Sequence, residues 1–489
     1  MIDHTSAIAK AGLGEPSPMW VAGEWTLADD VLPCFDPTTG AQLATIGNAR
    51  NIEVDRAVQC ARDALKGPWS TWAPRKRAAA INKLATMCEN HIKDLARIEM
   101  LDAGIPRMFA NKMSAKALVR NLQYYASWAD KLPGQVVGAG AKGWQITLRE
   151  PVGVVASIFP WNVPLLFVGS KLGPALAAGN TVILKPSELA SLSTLRVARL
   201  IEDAGFPPGV VQVLTGDGET GRLLVSHPGI DLISFTGGRT TARKVQASAA
   251  ETLKPVIFEL GGKSPNIVFP DANMNKATMM STFGVFGLTG QACAAGSRVL
   301  AHKDIADKLA AGISQFARSL GIGDPLDPAT MVGPLISARQ LSNVRTAIST
   351  AKTEGATESF AAEVPDKVAD AGHFIGPHIF TGVTPEMHVW KEEVFGPVLA
   401  ITTFESEEEA LSLANQTEYG LAAGVWTQDV GRVQRMTSGI DAGIIWVNTY
   451  GQLPVDLPFG GFKQSGWGKE GGGDALVAYT RIKSVVMEG

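Results

Sequence analysis

Between positions 52 and 104 apolar residues recur every three or four positions, as in Val54, Ala57, Val58 and Ala61 and again in Ile81, Leu84, Ala85 and Cys88. That period gathers them on one helical face and predicts two or three amphipathic helices. From position 152 the pattern changes. Short β-branched or apolar runs at 152–159, 181–184, 210–214 and 232–235 each end in turn residues, and helical patterns such as 163–178 and 192–204 separate them. Strand alternating with helix predicts a parallel sheet covered on both faces, with ligands held beyond the carboxyl ends of its strands. A second alternating series begins near Val256 and continues through 299–300, 398–404, 423–426 and 444–447, which reads as a second α/β domain.

The length of 489 residues allows about three domains at roughly 150 residues each. With 45% apolar and 19% charged residues the chain is compact rather than disordered. Its 44 Lys and Arg against 47 Asp and Glu leave a net charge of −3 with no basic block, so no nucleic-acid partner is expected. Apolar runs are interrupted by Pro, Lys, Asn or Gly before the ~20 residues of a membrane helix, and no secretory signal is read at the start. A cytoplasmic protein without membrane partners is expected.

Four cysteines, Cys34, Cys60, Cys88 and Cys293, lack CxxC spacing, which argues against a disulfide framework and a zinc site. Cys60 and Cys88 fall on apolar helix faces and Cys34 in a strand-like stretch, as small buried hydrophobes do. The seven histidines show no HExxH spacing. No metal is expected.

Cys293 differs from the others because Gly290-Gln291-Ala292-Cys293-Ala294-Ala295-Gly296-Ser297-Arg298 surrounds it with small residues that leave the sulfur open. Turn N–H groups there could stabilise a thiolate and a later oxyanion, although the segment alone suits core packing equally well. Glu259 stands where the apolar run 256–258 opens into the turn Gly261-Gly262-Lys263, as a base for a thiol or water or as a helix-cap or surface acid. In Phe159-Pro160-Trp161-Asn162, again at a strand end, the Asn162 amide could donate to an oxyanion.

Taken together, ELGGKSP, GQACAAGSR, PWN, KPSE, EEVFGPV and PFGGFKQSG resemble the NAD(P)-dependent aldehyde dehydrogenase superfamily, over nearly the whole chain. The resemblance implies an oxidation in which Cys293 attacks the aldehyde to give a thiohemiacetal. Asn162 and the Cys293 N–H hold the oxyanion, hydride leaves for the nicotinamide, and Glu259 activates the water that hydrolyses the thioester. Because coenzyme-A-acylating branches lack this acid, Glu259 implies hydrolysis. Lys171 and Glu470 match a pair assigned to a proton path from the base.

For the cofactor, NAD with NADP possible, the resemblance implies Ile158, Pro160 and Trp161 at the first strand end, Lys185, Ser187 and Glu188 at the adenosine ribose, and Gly218 beneath the adenine. It adds Phe235, Gly237 and Gly238 at the pyrophosphate turn, and Glu393 and Phe395 at the nicotinamide end. The carboxylate of Glu188 would repel a 2′-phosphate and so favours NAD. Within the turn the usual Ser, Thr and last Gly are replaced by Gly238, Arg239 and Ala242. Arg239 either compensates with its charge or points into solvent, and Glu392 reads as a solvated acid.

Matching positions put Val163, Leu166, Phe167 and Ser170, with Leu453 and Phe459, around a mostly apolar substrate pocket. Ser170, Ala117, Ala292 and Ala294 make it roomy, which suits an aromatic or medium-chain aldehyde. Asp456 in the same loop leaves a cationic amino-aldehyde as the alternative. The implied fold is α/β, with two Rossmann-type domains and a small β oligomerisation extension. Residues 1–131 and 151–260 would form the NAD-binding domain, 261–463 the catalytic domain, and 132–150 with 464–489 the extension, giving a homodimer or homotetramer. A cofactor-independent thiol esterase and a non-catalytic structural descendant are the rival readings, disfavoured by the retained cofactor segments and by the presence of Cys293, Glu259 and Asn162.

Overall fold

In the computed structural model, which describes residues 2–140 and 143–488, the strand-and-helix alternation from position 152 builds an eight-stranded sheet. Its strands lie in the order Gly466–Trp467, Val256–Leu260, Leu232–Gly237, Val154–Phe159, Thr181–Pro186, Val211–Val213, Met19–Val21 and Glu24–Thr26. The five strands from Val256–Leu260 to Val211–Val213 are parallel. Thr181–Pro186 is buried at every position, the continuous burial of a strand with both faces covered.

From Val154–Phe159 the chain winds outward to Val211–Val213, then returns on the other side as Leu232–Gly237. The order of connection therefore reverses between Val154–Phe159 and Leu232–Gly237, and such a reversal opens a crevice at the carboxyl ends of the two strands. Pro160, Trp161 and Asn162 follow one of those ends and Gly238 the other.

The second series builds a seven-stranded sheet in the order Thr357–Ala361, His378–Thr381, Val398–Phe404, Arg298–His302, Pro265–Val268, Ala422–Trp426 and Ile444–Val447. Every pairing in it is parallel except that of the first two strands. The stretch expected to hold two or three helices forms Asn51–Ala64, Pro74–Asn90 and Ile92–Asp102, joined by short turns. Cys34 and Cys88 are buried, whereas Cys60 is only half-buried, at the rim of its apolar face.

Gln135–Gly140, Gly143–Pro151 and Thr480–Met487 form an antiparallel sheet of their own. The terminal segment 464–489, read from the sequence as one piece of this extension, is divided. Gly466–Trp467 pairs with Val256–Leu260 in the large sheet, and helix Gly472–Ala478 buries Ala475 and Leu476 before the strand begins at Thr480. Helix Pro164–Ala178 is buried nearly all round and ends at Gly179, whose φ of 97° only glycine adopts readily. Among the described residues no helix is long and apolar enough to cross a membrane.

Candidate active site

Three consecutive residues in the left-handed region, Leu288, Thr289 and Gly290 with φ of 53°, 57° and 71°, bend the chain sharply ahead of Cys293. Backbone held this way by two non-glycine residues is strained and persists only where the surroundings enforce it. Gly290 cannot be replaced simply, since a Cβ there would lie 2.1 Å from the Gly396 carbonyl oxygen. The bend thereby seats the cysteine loop directly on the 392–397 loop.

The sulfur is less open than the small neighbouring residues suggested. Cys293 is half-buried, and burial, followed by the negative charges of Glu393 and Glu259, pushes its thiol up to about 12. The N–H groups of Ala294 and Cys293 oppose this without overcoming it. At rest the side chain is a protonated thiol, and a base must remove its proton before attack. Asn162 Nδ2 donates to the carbonyl oxygen of Gln291 at 2.9 Å, which ties the end of Val154–Phe159 to a point two residues before the nucleophile. Gln291 is itself held by the Ile336 N–H at 3.0 Å. One N–H of the Asn162 amide remains for another acceptor.

Glu259, the last residue but one of its strand, is 4% exposed, and neither carboxyl oxygen has a hydrogen-bond partner within 3.5 Å. Burial, reinforced by the charge of Glu470 and only partly offset by Lys171, Lys469 and the nearby Glu470 N–H, holds this carboxyl well above the usual carboxylate range. A Cβ on Gly460 would lie 2.4 Å from Glu259 Oε1, so the bare glycine makes room for the acid. Beside it, Lys171 Nζ donates to Glu470 Oε1 at 2.6 Å and to Ser234 Oγ at 3.0 Å, and Tyr479 O–H donates to the same serine at 3.2 Å. Glu470 is paired through its main chain with Phe459.

The crevice for a dinucleotide fits the turn after Leu232–Gly237. Gly238 caps helix Arg239–Ala250 without any side-chain cap, and nothing lies within 4 Å of where its Cβ would be. An uncapped helix N-terminus facing open space is a ready site for a pyrophosphate. Arg239 does neither of the things its position suggested. Its guanidinium donates to Glu392 Oε2 at 2.6 Å and Glu418 Oε2 at 2.5 Å and lies 4.8 Å from the centre of the Tyr419 ring. Glu392 keeps the solvent exposure expected of it and is in addition ion-paired, because the turn brings an arginine across the crevice to it.

Lys185, buried, donates to the carbonyls of Gly216 at 2.6 Å and Pro186 at 3.1 Å, which leaves one of its three protons without an acceptor among these contacts. Ser187 and Glu188 are half-buried beside it, and Gly218 opens a helix capped by Asp217. At the far end, Glu393 accepts from the Gly262 N–H at 3.1 Å, and burial raises its carboxyl to about 7. Phe395, with φ of 52°, meets Trp161 edge-on at 5.4 Å between ring centres. Phe235 packs likewise on Phe258, and Ile158 and Pro160 are half-buried at the strand end.

The model of the Aldehyde dehydrogenase family matches residues 25–485. The chain belongs to the aldehyde dehydrogenase family. It is 41% identical over 473 residues to the NADP/NAD-dependent aldehyde dehydrogenase PuuC of Escherichia coli, covering 96% of this chain and 94% of that one. Among solved structures, the indole-3-acetaldehyde dehydrogenase AldA of P. syringae in complex with NAD+ and IAA superposes with a TM-score of 0.96 at 36% identity, over 100% of both chains. Betaine aldehyde dehydrogenase of Staphylococcus aureus in complex with NAD+ superposes with a TM-score of 0.95 at 33% identity, over 100% of this chain and 97% of that one.

In this family member the pocket candidates fall on both sides of the nucleophile. Val163, just before helix Pro164–Ala178, and Phe167 on it are buried and Leu166 is half-buried, within the apolar cluster that takes in Ala292. Leu453 and Phe459 border the cluster that takes in Cys293 and Ala294. Ser170 directs its hydroxyl to Glu470 rather than leaving it to the pocket. Asp456 is exposed on a turn, with no cation within 4 Å among the described residues. Sequence reasoning missed Gln291, Ser234, Lys469 and Tyr479. Gln291 stood inside a motif already quoted, but the others carry no local signal, since their partners arrive from distant strands.

Proposed function

We propose that this aldehyde dehydrogenase oxidises an aromatic or medium-chain apolar aldehyde to the carboxylic acid, with NAD as hydride acceptor. The observation that carries the reading is the Asn162–Gln291 hydrogen bond, which brings an oxyanion donor to the nucleophile loop while a buried, unpaired carboxyl, Glu259, stands near the same thiol. Ionised Glu259 takes the Cys293 proton as the sulfur bonds to the carbonyl carbon, and the resulting alkoxide is held by Asn162 and the Cys293 N–H. When bound, the nicotinamide supplies the acceptor for the hydride that leaves that carbon, and the carbon–oxygen double bond re-forms as a thioester. Glu259 releases that first proton to solvent and then takes one from water as the water oxygen bonds to the acyl carbon; the carbon–sulfur bond breaks, the proton on Glu259 passes to the departing sulfur, and the acid is released.

The uncapped turn at Gly238 would hold the pyrophosphate, Lys185 and Glu188 the adenosine ribose, and Glu393 the nicotinamide ribose. The carboxylate of Glu188 favours NAD over NADP. The eight-stranded unit then serves as cofactor domain and the seven-stranded unit as catalytic domain. We place the enzyme in the cytoplasm as a homo-oligomer: its four cysteines are free, and Thr480–Met487 presents exposed Ile482, Val486 and Met487 at a sheet edge suited to pairing with a second copy.

NADH formation with benzaldehyde, a medium-chain aldehyde, acetaldehyde and a cationic amino-aldehyde, beside Cys293→Ala, tests the reading. Turnover should vanish in the variant and be fastest with the apolar substrates. Acetaldehyde matching benzaldehyde would defeat the apolar assignment, and preference for the amino-aldehyde would transfer specificity to the exposed carboxylate of Asp456.

A further inference from the structure

The helix that follows Asn162 begins without a cap of its own. Pro164 takes its first position and brings no N–H, and Val163 before it offers no side-chain acceptor. The first N–H of that helix, on Leu165, is satisfied from another element: it donates at 2.9 Å to Glu99 Oε1, on helix Ile92–Asp102. Ser114, in the π-helical stretch Ala110–Ala115, donates to the same oxygen at 2.6 Å. Glu99, Ser114 and Leu165 are all fully buried, so water replaces none of these bonds.

An acid in so dry a place is unfavourable unless its contacts there offset the loss of water. Burial raises the Glu99 carboxyl to about 7, and the Leu165 N–H and Ser114 O–H oppose that rise. Its Oε2 has no partner within 3.5 Å, so the acid binds through Oε1 alone, facing the positive end of the helix. Asp102, three residues along the same helix, accepts from the Leu192 N–H at 2.7 Å and so begins a different helix in the same way. Of the two acids only Glu99 meets the segment that carries Asn162.

That segment has few other restraints. On the helix, Phe167 is the first residue whose N–H reaches a main-chain carbonyl, that of Val163 at 3.3 Å. Ahead of it, among the described residues, the turn 160–166 donates two hydrogen bonds, from Asn162 Nδ2 to the Gln291 carbonyl at 2.9 Å and from the Leu165 N–H to Glu99. Asn162 is thus held between the nucleophile loop on one side and Glu99 on the other.

We propose that Glu99 is a positioning residue for the oxyanion site: by accepting from the Leu165 N–H it fixes the turn from which Asn162 reaches the nucleophile loop. This rests on the reading of Asn162 as the oxyanion donor. Without the acceptor, a buried N–H is left unpaired, the first turn of the helix shifts to relieve it, and Asn162, three residues ahead, shifts too. An oxyanion donor acts only when it is accurately placed.

The test is kcat for NADH formation at saturating NAD, with the fastest aldehyde of the panel, in Glu99→Met and Asn162→Ala singly and together. Glu99→Met keeps the volume and removes the acceptor. It should lower kcat about tenfold, part of the roughly 100- to 1,000-fold that losing an oxyanion donor costs, with the NAD KM within about twofold of the parent. In the Asn162→Ala background the same change should cost nothing further, because the group it positions is gone. Glu99→Gln keeps an acceptor at Oε1 and should restore kcat to within about twofold of the parent. Should the methionine variant not fold, Glu99→Asp, which draws the carboxyl back by one methylene, is read in the same way.

The proposal is overturned if folded Glu99→Met turns over like the parent and differs only in melting temperature, or if Glu99→Gln loses as much as Glu99→Met. It is equally overturned by a loss as large in Asn162→Ala as in the parent, which a displaced pocket wall at Leu166 and Phe167 would give. Parent-like turnover in Asn162→Ala alone marks a different failure, that of the oxyanion reading itself.

Discussion

Arg239 reaches Glu392 at 2.6 Å across the crevice between the two α/β units, from the first turn of the helix whose N-terminus is free for a pyrophosphate. Its other carboxylate partner, Glu418, lies in the same unit as Glu392, so one guanidinium fastens the phosphate turn to the loop that carries Glu393. Both glutamates are substantially exposed, which keeps the net worth of the contact near that of a surface pair.

Arg239→Ala is accordingly expected to weaken NAD binding by about fivefold, a loss of roughly 1 kcal/mol. The aldehyde KM should hardly move. Fluorescence titration with NAD at low and at high salt checks this, and unchanged affinity at low salt would show that the clasp does not bear on the cofactor.

The burial of Cys293 predicts its reactivity. With the thiol pushed up to about 12, alkylation by iodoacetamide in the absence of cofactor should rise steadily through the alkaline range instead of levelling off near neutrality. Cys34 and Cys88 are buried, so a Cys60→Ser background isolates the signal. A plateau below pH 7 would mean that the resting residue is already a thiolate.

A third prediction concerns stability. Buried His4 places Nδ1 2.5 Å from Asp36 Oδ2 and Nε2 3.1 Å from Asp324 Oδ1, which fastens the first helix to two distant loops. Burial alone would lower its pKa, but the two aspartates outweigh it and raise the group from 6.5 to about 9. A raised pKa stabilises the fold fully below the unfolded value of 6.5, and that contribution disappears as pH climbs through 9. His4→Ala should therefore melt roughly 5 °C below the parent at pH 6, with the gap narrowing toward pH 10. A gap that stays constant over that range would show that His4 contributes by packing and not by charge.

The alternation of strands and helices, the three early helices and the placement of Glu259, Asn162 and Gly238 at strand ends were all legible along the chain, because each depends on a period or a turn that neighbouring residues impose on one another. The division of the segment after position 463 was less so. Gly466–Trp467 is too short to announce itself as a strand and acquires that character only by pairing with Val256–Leu260.

What the sequence by itself determined is thus the set of elements and the identity of the reactive groups at their ends. Tertiary structure alone decided their electrical state. Arg239 meets Glu392 from 153 residues away and Ser170 meets Glu470 from 300 residues away. The Cys293 thiol is held protonated by burial together with acids at 259 and 393, from separate elements. Charge and desolvation act through space and depend on what the fold brings within a few ångströms, whereas hydrophobic period acts along the chain, and only the latter is written in residue order.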